Sequence, residues 1–163
     1  MRDDKWLEKE LKRIWQKHFP DLEKKNEVII HFGRRARTRL GSIKEVKSRK
    51  SQVKSFQESI SPTLITINGL FRDEKIPEFV VTATIAHELC HYAHGFSSPH
   101  NKTHEHPHYG GVVRKEMIDR GLEDEQYLSK KWIKENWKDY LLKYYPPLPK
   151  CRRRRKRILY IFR

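Results

Sequence analysis

Cysteine is scarce in this sequence: Cys90 and Cys151 are the only two in 163 residues. That is too few for a disulfide framework or a cysteine-built zinc site. No stretch of about 18 uncharged apolar residues exists, which excludes a membrane-spanning helix. The N-terminus, MRDDKWLEKE, carries acids where a secretory signal has an apolar stretch, so an intracellular, cytoplasmic location is expected. Acid is in short supply against base, with 21 Asp+Glu facing 36 Lys+Arg for a formal charge of +15. Aromatic residues are not short: they make up 11% and include four Trp, which argues against global disorder. The length suits one domain with a modest core, and we expect a monomer.

The charge is concentrated. Residues 150–163 hold eight cations and no acid, including the run Arg152, Arg153, Arg154, Arg155, Lys156, Arg157. The chain therefore divides into a domain over 1–149 and a basic tail over 150–163. A second basic stretch from Arg34 to Lys54 is opposed only by Glu45. Surfaces of this kind attract polyanions, of which nucleic acid is the commonest in a cell, although a charge run also serves as a solvated face.

Trp6, Leu7, Leu11, Ile14 and Trp15 recur at helical spacing, which predicts a helix over 4–18, capped by Asp3 or Asp4 and stopped by Pro20. β-Branched and alternating runs predict strands over 27–32, 37–46 and 63–68. Gly41 marks a bulge or bend in the second, and Asn68-Gly69 closes the third with a turn. Residues 47–61 read as a loop. The apolar stretch 77–94 predicts a buried helix that ends at Gly95. Further helices are expected over 110–120 and 124–144, the latter with Trp132, Ile133, Trp137, Tyr140 and Leu141 on one side. The fold class is α+β: an N-terminal helix, a three-stranded, mostly antiparallel sheet, a central apolar helix and two further C-terminal helices.

Seven of the nine histidines fall between His87 and His108, and His87-Glu88-Leu89-Cys90-His91 is an HExxH pattern. Residues four apart share a helix face, so two imidazoles can reach one Zn²⁺ at about 2.0–2.1 Å. Glu88 then stands beside the ion as a general base for an activated water. His94 lies roughly 10 Å along the axis from His87, too far to share the ion. For the third ligand His108 is best placed, because Tyr109-Gly110-Gly111 leads directly into the next helix. His106, stiffened by Pro107, and Glu116 are the alternatives; His100 and His104 sit in a polar loop. Cys90 reads as a small core residue. Tyr92 and Tyr109 read as rim packing or as donors to an oxyanion.

Over residues 5 to about 120 the chain resembles the SprT-like metallopeptidases. The resemblance rests on FGRRARTRLGSI (32–43), LITINGLFRDEKIPEFVVTATIAHELCH (64–91) and HYGGVVRKEM (108–117), with Tyr109 intervening between His108 and Gly110. It implies a small zincin-like domain in which His87, His91 and His108 bind one Zn²⁺ and Glu88 is the base. It further implies cleavage of protein substrates, notably proteins crosslinked to DNA. DNA would be held without sequence preference through phosphate contacts, with Arg34, Arg35, Arg37 and Arg39 lining a groove. The family's cysteine-based zinc ribbon has no counterpart here, and Arg152, Arg153, Arg154 and Arg155 offer a cruder attachment. Two other readings stay open: a nucleic-acid-binding module with a structural zinc, and a zinc peptidase without a DNA role.

Overall fold

The computed structural model describes residues 1–46 and 61–147. Helix α1 (Asp4–His18) is capped by Asp3, whose side chain accepts from the Trp6 amide at 2.8 Å. It buries Leu7, Leu11 and Ile14, the face its spacing predicts. Asp4, the other capping candidate, instead accepts from the Phe32 amide at 2.9 Å and from Arg72 at 3.0 Å, and so joins α1 to the sheet.

Three five-residue strands follow: β1 (Val28–Phe32), β2 (Gly41–Glu45) and β3 (Thr63–Ile67). Val28, Ile30 and Phe32 alternate inward, as do Thr63, Ile65 and Ile67, so one sheet face meets the helices. The order is β1-β3-β2, with β1 parallel to β3 and β2 antiparallel to it. The sheet is thus mixed, which corrects the expected mostly antiparallel arrangement. The reason lies in the loop 33–40, which crosses over the end of β3 instead of folding β2 back against β1. Asn68, 4% exposed, pins that loop: its Oδ1 accepts from the Ala36 and Leu70 amides, and its Nδ2 donates to the Ala36 and Arg39 carbonyls at 2.7 and 2.8 Å. Backbone bonds from Gly33 to Ile67 and from Asn68 to Leu40 complete the crossing. The gap left between β1 and β2 is filled by β3. The loop expected over 47–61 lies almost wholly outside the described residues.

Helix α2 (Glu78–Ala93) runs through the centre, buried on nearly every side from Val80 to Tyr92. It ends as expected at Gly95, whose φ is +76°. The Phe96 amide bonds the His91 carbonyl at 2.9 Å and the Gly95 amide bonds Tyr92 at 3.2 Å, the paired bonds of a Schellman cap. Helices α3 (Val112–Asp119) and α4 (Glu123–Tyr144) close the domain. α4 packs along α2 with Trp137, Tyr140 and Leu141 buried and Trp132 and Ile133 half-buried against the core. Among the described residues, no helix is long and apolar enough to cross a membrane.

Candidate metal centre

The HExxH segment occupies the last turns of α2, where the helix passes from core to cleft. His91 is buried and His87 half-buried, and their Nε2 atoms stand 3.1 Å apart. Two nitrogens bound to one tetrahedral zinc at about 2.0–2.1 Å would be about 3.3 Å apart. His108 brings the third imidazole. It precedes a 3₁₀ turn (Tyr109–Gly111) that leads into α3, and its ring centroid is 4.7 Å from that of His91 and 5.4 Å from that of His87. One ligand nitrogen from each of the three lies within 4.8 Å of the others. Three histidines are therefore close enough to hold a metal ion.

The loop that carries His108 is pinned near its start. Thr63 Oγ1 donates to the Ser97 carbonyl at 2.9 Å, Ser98 Oγ to the Tyr92 carbonyl at 2.6 Å, and the Thr103 amide to the His94 carbonyl at 3.2 Å. Its far side is held through α3. Glu116 accepts from Arg120 Nε at 2.6 Å and meets His94 Nε2 at 3.4 Å, while Arg120 donates to Asp21 and to the His18 carbonyl. Glu116 is thereby engaged away from the cluster, and the other proposed third ligand, His106, is exposed beside Glu105. His94 is a buried polar residue at the helix end, as its spacing predicts. His100 bonds the Glu23 carbonyl, and His104 packs its ring near His94.

The electrostatics suit a cation. Burial first, then the neighbouring His108 and Lys130, lowers the His87 pKa to about 4. Burial, then His87, His108 and His94, lowers that of His91 to about 3. Both rings are thus neutral at pH 7, so each keeps one nitrogen free of a proton and able to bind a metal ion. His91 Nδ1 is buried with no hydrogen-bond partner among the described residues. This donor set fits Zn²⁺: three imidazoles leave one tetrahedral position for water or substrate.

Glu88 projects from the same turn and is 5% exposed. Burial raises its pKa to about 7. It faces Gly41 at the start of β2, where a Cβ would sit 2.7 Å from Glu88 Oε1 and 2.8 Å from Thr84 Cγ2. Gly41 thus permits close approach of strand and helix, and the strand register runs through it without a bulge. The sequence marks that glycine but gives no sign of what approaches it. Gly41, Ser42 and Ile43 continue from there along a groove that also contains His87, His91 and His108.

Other residues fall as follows. Cys90 is a buried core thiol, and burial pushes its pKa up to about 12. Tyr92 is fully buried, donates to Asn26 Oδ1 at 2.9 Å and packs edge-on against Trp15, while Tyr109 is 79% exposed. Arg37 donates to the Tyr145 carbonyl, whereas Arg34, Arg35 and Arg39 are exposed, with Arg39 on the rim of the groove. Arg152, Arg153, Arg154 and Arg155 lie outside the described residues. Gln126, Ser129 and Lys130 of α4, which sequence reading did not single out, border a second cavity that shares His87 and Glu88. Comparison with protein-family models, with curated proteins and with solved structures found no match to this chain.

Proposed function

We propose that this protein is a zinc-dependent endopeptidase of the SprT-like, zincin-type class, acting on proteins associated with or crosslinked to DNA. The observation that carries this reading is the convergence of His87, His91 and His108 next to a buried acid, Glu88. His87, His91 and His108 would hold the ion, which when bound polarises a carbonyl and makes hydroxide available near neutral pH. Glu88, with a pKa raised to about 7, is matched to taking a proton from water and returning it to a leaving amine at neutral pH. A closed structural site has no use for an acid beside three histidines and fills its fourth position with protein.

The groove supports a polypeptide substrate. Among the described residues β2 pairs on one side only, with β3, so its outer edge offers backbone groups to an extended chain laid beside Glu88. Exposed Arg34, Arg35 and Arg39 put positive charge on the loop that leads into this strand, which suits a substrate close to phosphates.

The test is zinc-loaded protein against Glu88→Gln, with casein and a DNA-bound protein as substrates, with and without single-stranded DNA. We expect turnover to fall by about 10²–10⁴-fold in the variant, with zinc content unchanged by metal analysis. Equal cleavage by parent and variant would overturn the assignment of Glu88. Cleavage that is indifferent to DNA would remove DNA from the reading.

A further inference from the structure

Next to the groove, and sharing His87 and Glu88 with it, a cavity of about 300 Å³ opens between the start of β2 and α4. Its walls are apolar, from Leu40, Ala83, Met117 and Ile133. Two buried polar residues of α4, Gln126 and Ser129, also line it, with Gln126 Nε2 3.1 Å from Met117 Sδ. Two exposed cations, Lys130 from α4 and Arg39 from the loop before β2, complete the lining. Neither forms a salt bridge among the described residues. Among the described residues, the only acid on the wall is Glu88 itself.

We propose that this cavity is a side-chain pocket of the peptidase site that selects a substrate carboxylate next to the scissile bond, with Lys130 and Arg39 as the selecting residues. The proposal rests on the hydrolase reading above and names the substrate preference of that same site. Because the cavity shares His87 and Glu88 with the metal centre, a chain lying across that centre has a neighbouring side chain within reach of it. The apolar walls accept a methylene stem, and the cations at the edge meet the charged end. A lysine or arginine side chain entering the same space faces two like charges, so rejection works together with attraction. A phosphate backbone is a poor occupant, since it needs a continuous cationic track, and most of this lining is apolar. The carboxylate comes either from an acidic side chain or from a chain terminus, and the two are separable by amidation.

Two readouts test this. In the first, metal-free protein is titrated with labelled hexapeptides that differ at one position, Glu, Gln or Lys, each as free acid and as C-terminal amide. We expect Glu to bind about tenfold tighter than Lys, and the preference to disappear in Lys130→Glu and in Arg39→Glu. In Lys138→Glu, which makes the same charge change at another exposed position on α4, it should persist. Tight binding confined to the free-acid forms supports the carboxylate pocket and assigns it to chain termini. Equal losses in Lys138→Glu and Lys130→Glu would reduce the effect to general attraction and overturn the proposal. So would a Lys130→Glu variant that loses single-stranded DNA binding but keeps peptide discrimination.

The second readout is cleavage of the same peptides by the zinc-loaded protein. Cleavage without preference among Glu, Gln and Lys overturns the pocket and leaves the peptidase. A binding preference with no cleavage of any peptide overturns the peptidase and leaves the carboxylate pocket.

Discussion

Glu88 is a carboxylic acid in a place that disfavours its charge. Its folded pKa of about 7 lies above the ordinary 4.5, so the native state keeps the proton that the unfolded chain gives up. Its contribution to stability is complete below pH 4.5 and is lost as the pH rises through 7. In metal-free protein, Glu88→Gln removes that titration. The variant should gain on the parent progressively from pH 4.5 to 7 and hold a constant advantage above, of about 3 kcal/mol at most. His87 and His91 act in the opposite direction, because their pKa values of about 4 and 3 lie below 6.5. Their contribution is present above pH 6.5 and is lost as the pH falls toward those values. Parent and variant share it, so the difference between their denaturant midpoints across pH isolates Glu88. A difference that stays flat with pH would show that the carboxyl is solvated.

At the scale of elements, the site depends on how closely β2 approaches α2. That spacing is set where Gly41 faces Glu88 and Thr84, with no room for a methyl group. Gly41→Ala must push Glu88 aside or lift the start of the strand. Overpacking of this kind costs about 1–3 kcal/mol. The hydrolase reading then predicts a fall in activity larger than the fall in stability, with zinc still bound, since the three histidines lie on other elements. Measured kcat/KM, denaturant midpoint and metal content together check it. Loss of metal in this variant would mean that β2 supports the ligands as well as the acid.

At the scale of the molecule, a formal charge of +15 makes ionic strength a diagnostic variable. If phosphate contacts hold DNA, log affinity falls linearly with log salt, with a slope of about −0.9 per contact on duplex. Residues 150–163 carry eight cations, so removing them should flatten that slope by up to about 7. What slope remains belongs to the body, where Arg34, Arg35 and Arg39 are exposed while Arg37 is tied to the Tyr145 carbonyl. Fluorescence anisotropy over a salt series measures both. An unchanged slope after truncation would assign all contacts to the body.

Most of the helices and strands, and the pairing of two histidines on one helix face, were legible in the residue order alone. Local signals were enough for α1, though they left its cap open between Asp3 and Asp4, for the burial of α2, for the glycine stop at Gly95 and for the two imidazoles one turn apart, because each depends on neighbours within a few residues. The α+β class followed from their order. Tertiary structure alone decided the strand order: the crossing of loop 33–40 over β3 depends on Asn68, about 30 residues away in the chain, and leaves no periodic trace. It also brought His108 close to His87 and His91, while Glu116 is engaged by His94 and Arg120. The meeting of Gly41 with Glu88 and the cavity against α4 belong to the same class of fact. Each is a contact between segments far apart in sequence, fixed by packing and invisible to spacing.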